Sequence, residues 1–391
     1  MTRRRSIGID VRAALRGPCG IGRVAVELAQ ALARLDPALQ VVLYGASRHG
    51  RDWAAPLPCE LLDLPNVRLF APRLPAKLLQ WAARMPGFAT DWLTGPLDAF
   101  LHTDLVYVAG LRCPQLVIVH DLAFEVSRDF HEEGFHEPAR ARLSAAIDTA
   151  AALIVPSAAT RDDLVSRWHV ASERITVVPL GCDHVLRGAA GQASGATLPR
   201  FERPTAAPRA GYFVHVGTLE PRKNLPRLVR AYRAARAQGL AQELVLVGAW
   251  GWKREELERE LARCGSDAPV TVRGAVPEAE LLAWLAHADA LVYPSLWEGF
   301  GLPVAEAFAL GVPVITSNRS STREVAGDAA LLIDPESEPE LAAALLRLGR
   351  DAALRAELAV RGQERARRYT WEAMARGVRE LVERVVASGR R

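Results

Sequence analysis

Apolar runs of strand length alternate with helix-length patterns along the whole chain, and this alternation constrains the fold more than any other feature. SIGIDV is followed by IGRVAVELAQALARL and then VVLYG, and LVYVA, LVIVH and ALIVPS continue the series. That is the signature of stacked βαβ units around a parallel sheet. In the first helical stretch Ile21, Val24, Leu28, Leu32 and Leu35 recur at spacings of three and four, which gives one apolar stripe to lie on the sheet.

The same grammar then restarts. Between about 184 and 210 the sequence HVLRGAAGQASGATLPRFERPTAAPRA loses its periodicity and fills with Gly, Ala, Pro and Ser, as a linker does. After it come YFVHVG, a helix through Leu225, Leu228, Val229 and Tyr232, and then ELVLVGAW, VTVRG, ALVYPS and VPVITS. A chain of 391 residues, half of them apolar, exceeds what one core comfortably uses. Two doubly wound α/β domains are predicted, over 1–190 and 211–370 with a linker at 191–210, and a ligand cleft lies between the carboxyl ends of their sheets.

Composition narrows the function classes. The net charge of +4 is small for this length and spread over Arg-rich helices, which argues against a nucleic-acid binder but suits anionic small molecules. Five cysteines, at 19, 59, 113, 182 and 264, form no CxxC pair, so neither a disulfide framework nor a zinc site is indicated, and a reducing cytoplasm fits. No DxD stands near a strand end and no His/Cys cluster has ligand spacing, so no metal is expected. MTRRRSIGID runs into a strand without an apolar h-region, and no run of about 18 apolar residues occurs; the expectation is a chain neither secreted nor membrane-spanning.

Two segments carry chemistry. LWEGFGLPVAEAFALGVPVI, 296–315, is almost wholly apolar yet keeps Glu298 and Glu306. ALVYPS before it is a strand, Pro303 suits the first turn of a helix and Gly311 its end, so EGFGL is a strand-to-helix loop. Gly299 and Gly301 let backbone approach a ligand, and the free amides with the helix dipole favour a phosphate or polyhydroxy group. An ionised carboxylate only accepts hydrogen bonds and can take two hydroxyls at once, which is how a ribose diol or a sugar ring is gripped. For either acid alone a structural reading competes: Glu306 as a favourable charge near a helix start, Glu298 as a solvated turn residue. The second segment, VHVGTLEPRKNLPRLVRAY at 214–232, is a strand, a turn through Gly217, and a helix start preceded by Arg222 and Lys223, cations that suit a pyrophosphate. By itself such a pair is usually surface decoration.

Together the two segments resemble the C-terminal half of the retaining glycosyltransferases of the glycosyltransferase-four (group 1) type, whose signature is Glu, seven residues, Glu. The resemblance runs through Glu298, the loop Gly299, Phe300, Gly301, Leu302 and Pro303, Glu306, the following GVPVITS, and STREVAGDAALLIDP. VRGAVPEAEL at 272–281 is similar to the family's base-pocket strand and brings in Arg273 and Val276. YTWEAMA precedes a last helix, 371–391, that in the family crosses back to close the first domain. In the N-terminal half GPCGIGRVAVELAQAL resembles the family's glycine loop, with Gly20 and Gly22, and VIVHDLAFE resembles the strand end whose His, here His120, faces the donor sugar. IVPSAATRDDL and ITVVPLGCD are similar to the family's last N-domain elements. One departure is visible: Thr218 stands where many members carry Arg after the glycine, which leaves the pyrophosphate to Arg222 and Lys223.

The resemblance implies the GT-B fold, two Rossmann-like doubly wound domains facing across a cleft. It implies transfer of a hexosyl unit, mannosyl favoured, from a nucleotide diphosphate sugar to a cell-surface or lipid-linked glycan, with retention and without a metal or other cofactor. His120, Glu298, Arg222 and Lys223 are then the catalytic candidates. Gly20, Gly22, Gly217, Thr218, Arg273, Val276, Gly299, Phe300, Gly301, Leu302 and Glu306 are the donor-binding ones. The expected location is the cytoplasm, at the inner face of the membrane. Segment 73–93, with two Trp among apolar and basic residues, would suit a membrane surface bearing a lipid-linked acceptor. A helix packed on its own domain accounts for it equally, limited by Pro75 and Pro86 to about three turns.

Competing readings are weaker. Gly20, Gly22 and Ala25 formally fit the dinucleotide fingerprint, but RAALRGPC separates them from the strand and VVLYGAS ends without an acid. A GT-B epimerase, or a catalytically silent sugar-nucleotide-binding protein, would keep the fold; the joint presence of Glu298, Glu306, Lys223 and His120 speaks against the silent one.

Overall fold

The computed structural model describes residues 5–17, 19–46, 57–73, 89–106, 108, 110–187 and 199–389. Most of segment 73–93, and 191–198 of the linker, fall outside them. The chain divides into two compact units. The first comprises 1–122, 134–181 and 371–391; the second comprises 123–133 and 182–370. Residues 123–133 and 182–187, which the sequence reading assigns to the first domain, therefore group with the second.

In the first unit seven parallel strands lie in the order β3-β2-β1-β4-β5-β6-β7. They are β1 Ser6–Asp10, β2 Gln40–Tyr44, β3 Val67–Phe70, β4 Ala99–His102, β5 Gln115–Ile118, β6 Ala152–Val155 and β7 Ile175–Val177. The expected strand at LVYVA is instead β4, a few residues earlier; Leu105 and Val106 lie outside any strand. The predicted helical stripe forms over Gly20–Leu35, with Val24, Leu28 and Leu32 buried. The C-terminal helix, Trp371–Ala387, packs against it and buries Trp371, Met374, Val378, Leu381 and Val385 at spacings of three and four. Its entry requires glycine at 181, where a Cβ would lie 2.3 Å from the Trp371 amide nitrogen.

The second unit is a six-stranded parallel sheet in the order β10-β9-β8-β11-β12-β13. Its strands are β8 Tyr212–Val216, β9 Glu243–Val247, β10 Val270–Gly274, β11 Ala290–Tyr293, β12 Val314–Ser317 and β13 Leu331–Ile333. The helix Leu225–Ala237 lays Leu225, Leu228, Val229 and Tyr232 into its core, as their spacing predicts. In both sheets the strand order reverses beside the first strand, at β1/β4 and at β8/β11, and open parallel sheets bind ligands outside the carboxyl ends at such points. Among the described residues no helix is long and apolar enough to cross a membrane.

Candidate functional site

Both segments singled out in the sequence converge on the β8/β11 switch point. Gly217, directly after β8, has φ +139°, and its carbonyl oxygen would lie 1.9 Å from a Cβ on Gly248 after β9, so two loop backbones meet where only glycine fits. Pro221–Lys223 then forms a short 3-10 turn, and Asn224, left-handed at φ 59°, opens the helix at Leu225. Asn224 Nδ2 donates to the carbonyls of Pro294 (3.3 Å) and Pro335 (2.6 Å), and the Leu296 amide donates to the Arg222 carbonyl (2.9 Å). These bonds stitch the loop after β8 to the loops after β11 and β13.

That stitching brings Arg222, Lys223 and Glu298 into one buried ion cluster. Glu298 Oε2 lies 2.6 Å from Arg222 Nη1, and Glu298 Oε1 lies 2.5 Å from Lys223 Nζ. Arg222 Nη2 also meets Glu220 Oε1 at 2.6 Å. Sequence reading places Glu298 with the sugar and the cations with the pyrophosphate; here they form a single assembly, and Glu298 is a buried ion-pair partner and not a solvated turn residue. Burial works to raise the Glu298 carboxyl, but Arg222 and Lys223 override it and hold it at about 2. Burial lowers the Lys223 ammonium, and the Arg222 charge adds to that, against Glu298 and Glu220.

Sequence reading misses four further members. Glu220 precedes the PRK turn and reads as a loop acid. The buried Tyr293, at the end of β11, donates its hydroxyl proton to Glu298 Oε1 (3.0 Å) and accepts from Lys223 Nζ (2.5 Å). His215, fully buried on β8, stacks on Tyr293 at 5.5 Å between centroids and 12° between planes. Its Nδ1 donates to the Val292 carbonyl (3.0 Å), and burial lowers its pKa to about 4, so the ring is neutral. The fourth, His184, reads as the start of a linker, yet it is buried and its Nε2 lies 3.1 Å from Glu306 Oε1.

The loop 298–301 ends in the helix Leu302–Ala309, whose N-cap is Gly301 at φ 92° with Pro303 in the first turn. Side-chain hydroxyls of Ser320 and Ser321 donate to the Glu298 carbonyl at 2.6 and 2.8 Å and fix the loop from behind. Phe300 meets Tyr369 edge-on at 5.3 Å. The helix start presents the positive end of its dipole, which favours anions. Glu306, in its second turn, is buried.

The remaining predicted residues are spread more widely. Thr218 is exposed on the Gly217 turn, and Arg273, exposed at the end of β10, sits 5.4 Å over the Trp284 ring, with Val276 half-buried just beyond. Gly20, Gly22 and His120 belong to the first unit. Gly20 starts the helix Gly20–Leu35, where Cys19 Sγ accepts from the Gly22 amide at 3.2 Å, and a Cβ on Gly22 would meet the Ala14 backbone at 2.8 Å. His120 Nε2 lies 2.8 Å from the Thr103 carbonyl oxygen. A carbonyl only accepts, so Nε2 carries the proton and Nδ1 is left for other partners.

Two family models match the chain: Glycosyltransferase Family 4 over residues 18–186 and Glycosyl transferases group 1 over residues 200–365. O-antigen chain mannosyltransferase B of Escherichia coli is 29% identical over 374 residues, 90% of this chain and 93% of its own length. MMP alpha-(1->4)-mannosyltransferase of Mycolicibacterium hassiacum is 28% identical over 239 residues, 60% of this chain and 54% of its own. Among solved structures, sucrose-phosphate synthase of Thermosynechococcus elongatus superimposes with a TM-score of 0.74 at 22% identity, covering 98% of this chain and 100% of its own. Anabaena HepE in complex with UDP-glucose gives 0.68 at 18% identity, over 97% and 99%. The fold is GT-B.

Proposed function

We propose, for a chain that belongs to the family 4 and group 1 glycosyltransferases, that it moves a hexosyl unit from a nucleotide diphosphate sugar to a cell-surface or lipid-linked glycan and retains the anomeric configuration. The observation that carries this is the Arg222, Lys223 and Glu298 cluster beside the helix start at Gly301, both at the β8/β11 switch point. One guanidinium and one ammonium charge beside the positive end of a helix dipole are what a departing diphosphate needs, and they can serve without a divalent ion. Glu298 Oε1 is taken by Lys223 and Tyr293, and Oε2, which meets Arg222, is the oxygen that can accept from a sugar hydroxyl. Glu306, held from one side by His184, offers its carboxylate to a ribose diol. Mannose is favoured because the two relatives above are named as mannosyltransferases. HepE of the same fold was solved with UDP-glucose, which keeps a uridine donor in the comparison.

The test is calorimetric titration of GDP-, UDP- and dTDP-sugars, then transfer of labelled sugar in the presence of a chelator, with product configuration read by NMR. Label should leave the donor only when an acceptor is present, and the product should keep the donor's anomeric configuration. Lys223→Ala and Arg222→Ala should weaken the nucleoside diphosphate far more than the nucleoside; equal losses for both ligands would overturn the pyrophosphate assignment. An epimerised sugar without acceptor would mark an epimerase instead. His120 is assigned to the transfer step, where its Nδ1 supports the transition state by hydrogen bonding. His120→Ala should then lower turnover on the order of 100- to 1,000-fold while donor affinity changes little; near wild-type turnover would remove it from the mechanism.

A further inference from the structure

Beneath the ion cluster lies a tyrosine that neither the motif nor the family comparison singles out. Tyr293 ends β11 at the switch point with a side chain that solvent does not reach. Its hydroxyl stands between the two opposite charges that matter most: it accepts from Lys223 Nζ at 2.5 Å and donates to Glu298 Oε1 at 3.0 Å. A phenol has one proton to give and lone pairs to receive, so it satisfies an ammonium and a carboxylate together. The ring is fixed from behind by His215, whose own orientation is set by the bond from Nδ1 to the Val292 carbonyl. His215 Nε2 is buried with no hydrogen-bond partner among the described residues, so the imidazole serves here through its flat face. Such a stack leaves the Tyr293 hydroxyl little freedom, and the lysine, a flexible four-carbon stem, inherits a fixed end point.

We propose that Tyr293, backed by His215, is a positioning residue that sets the Lys223 ammonium and the Glu298 carboxylate for the donor's diphosphate and sugar. This rests on the donor reading given above. The groups around Lys223 are Glu220 and Arg222 on its own turn, His215 from β8, Tyr293 from β11 and Glu298 from the following loop. Of these, Tyr293 and the two carboxylates favour the charged lysine. Removing the hydroxyl therefore makes the ammonium easier to deprotonate, in a group that burial and Arg222 already push down. A tyrosine that merely filled space would leave that proton untouched.

The experiment compares wild type with Tyr293→Phe, which keeps the ring and its stack. Calorimetry from neutral to alkaline pH uses whichever of GDP, UDP and dTDP wild type binds best, together with the matching nucleoside. Diphosphate affinity is expected to fall roughly 10- to 100-fold with nucleoside affinity unchanged. The alkaline limb of diphosphate binding is expected to move down by roughly one pH unit. The proposal is overturned by an unchanged alkaline limb and diphosphate affinity, by equal losses for nucleoside and diphosphate, or by a lowered melting temperature with wild-type binding. Wild type binding none of the three diphosphates would overturn the donor reading itself and this assignment with it, an outcome visible before the variant is made.

Discussion

Glu306 is buried on the helix Leu302–Ala309 with one oxygen facing His184, and a buried carboxylate is kept where its acceptor capacity is used. Glu306→Ala should weaken nucleotide binding by about 1 to 3 kcal/mol, because the ribose hydroxyls lose their acceptor and stay unpaired; unchanged affinity for the free nucleoside diphosphate would sink that role. The acid limb of stability follows from His215 and Glu298. Burial brings the imidazole from an ordinary 6.5 to about 4, so between those values the unfolded chain binds a proton that the folded one does not, and stability falls as pH drops through that window. Glu298, held at about 2 against an ordinary 4.5, stabilises fully above 4.5 and loses that contribution as pH falls toward 2. His102, buried on β4, adds a loss of the same sign, from 6.5 to about 4. Melting temperature should therefore decline on acidification below 6.5, and His215→Phe should decline less steeply over the window down to about 4. Identical slopes in the two proteins would contradict the buried neutral imidazole.

At the scale of elements, the helix start at Leu302 owes its shape to Gly301 and Pro303, and both are legible in the letters; the partner that steadies Glu306 is not. His184 arrives on a 3-10 turn, Asp183–Arg187, more than a hundred residues earlier in the chain. If it orients the carboxylate, His184→Ala should cost nucleotide affinity about 0.5 to 1.5 kcal/mol in the wild-type background and almost nothing in Glu306→Ala. Additive losses in that double-mutant cycle would show that His184 acts through something else. The strand β4 shows another limit of reading by pattern. AFLH and LVYVA are both short apolar runs, and periodicity alone cannot choose between them. Pairing decides it: β4 is the run that docks between β1 and β5, with Ile7 opposite Ala99 and Leu101 opposite Leu116.

For the molecule as a whole, the chain returns to its first unit through the helix Trp371–Ala387, so residues at the two ends of the sequence share one core. Trp371 is buried there with only 3% of its surface exposed, directly against Gly181. Trp371→Ala should destabilise the first unit by about 3 to 5 kcal/mol, the usual range for emptying a large aromatic site. Calorimetric unfolding should show the loss in the transition that contains that unit; a melt indistinguishable from wild type would mean that the last helix contributes little to it.

The sequence by itself determined the α/β class, the twofold repetition of its grammar, the helical stripe of Gly20–Leu35, and the loop-to-helix turns at 217–224 and 298–303, because periodicity, glycine and proline act over a few residues. It also determined which charges stand at those turns. Only the tertiary structure decided what each charge meets. Arg222 and Lys223 stand about 75 positions before Glu298 along the chain, yet the pairing of β8 with β11 makes the three one ion cluster. Tyr293 and His215 read as ordinary strand residues, and the same pairing places one against the other beneath that cluster. Which partner a buried polar group finds depends on strand order, and strand order is a property of the folded sheet that no local spacing encodes.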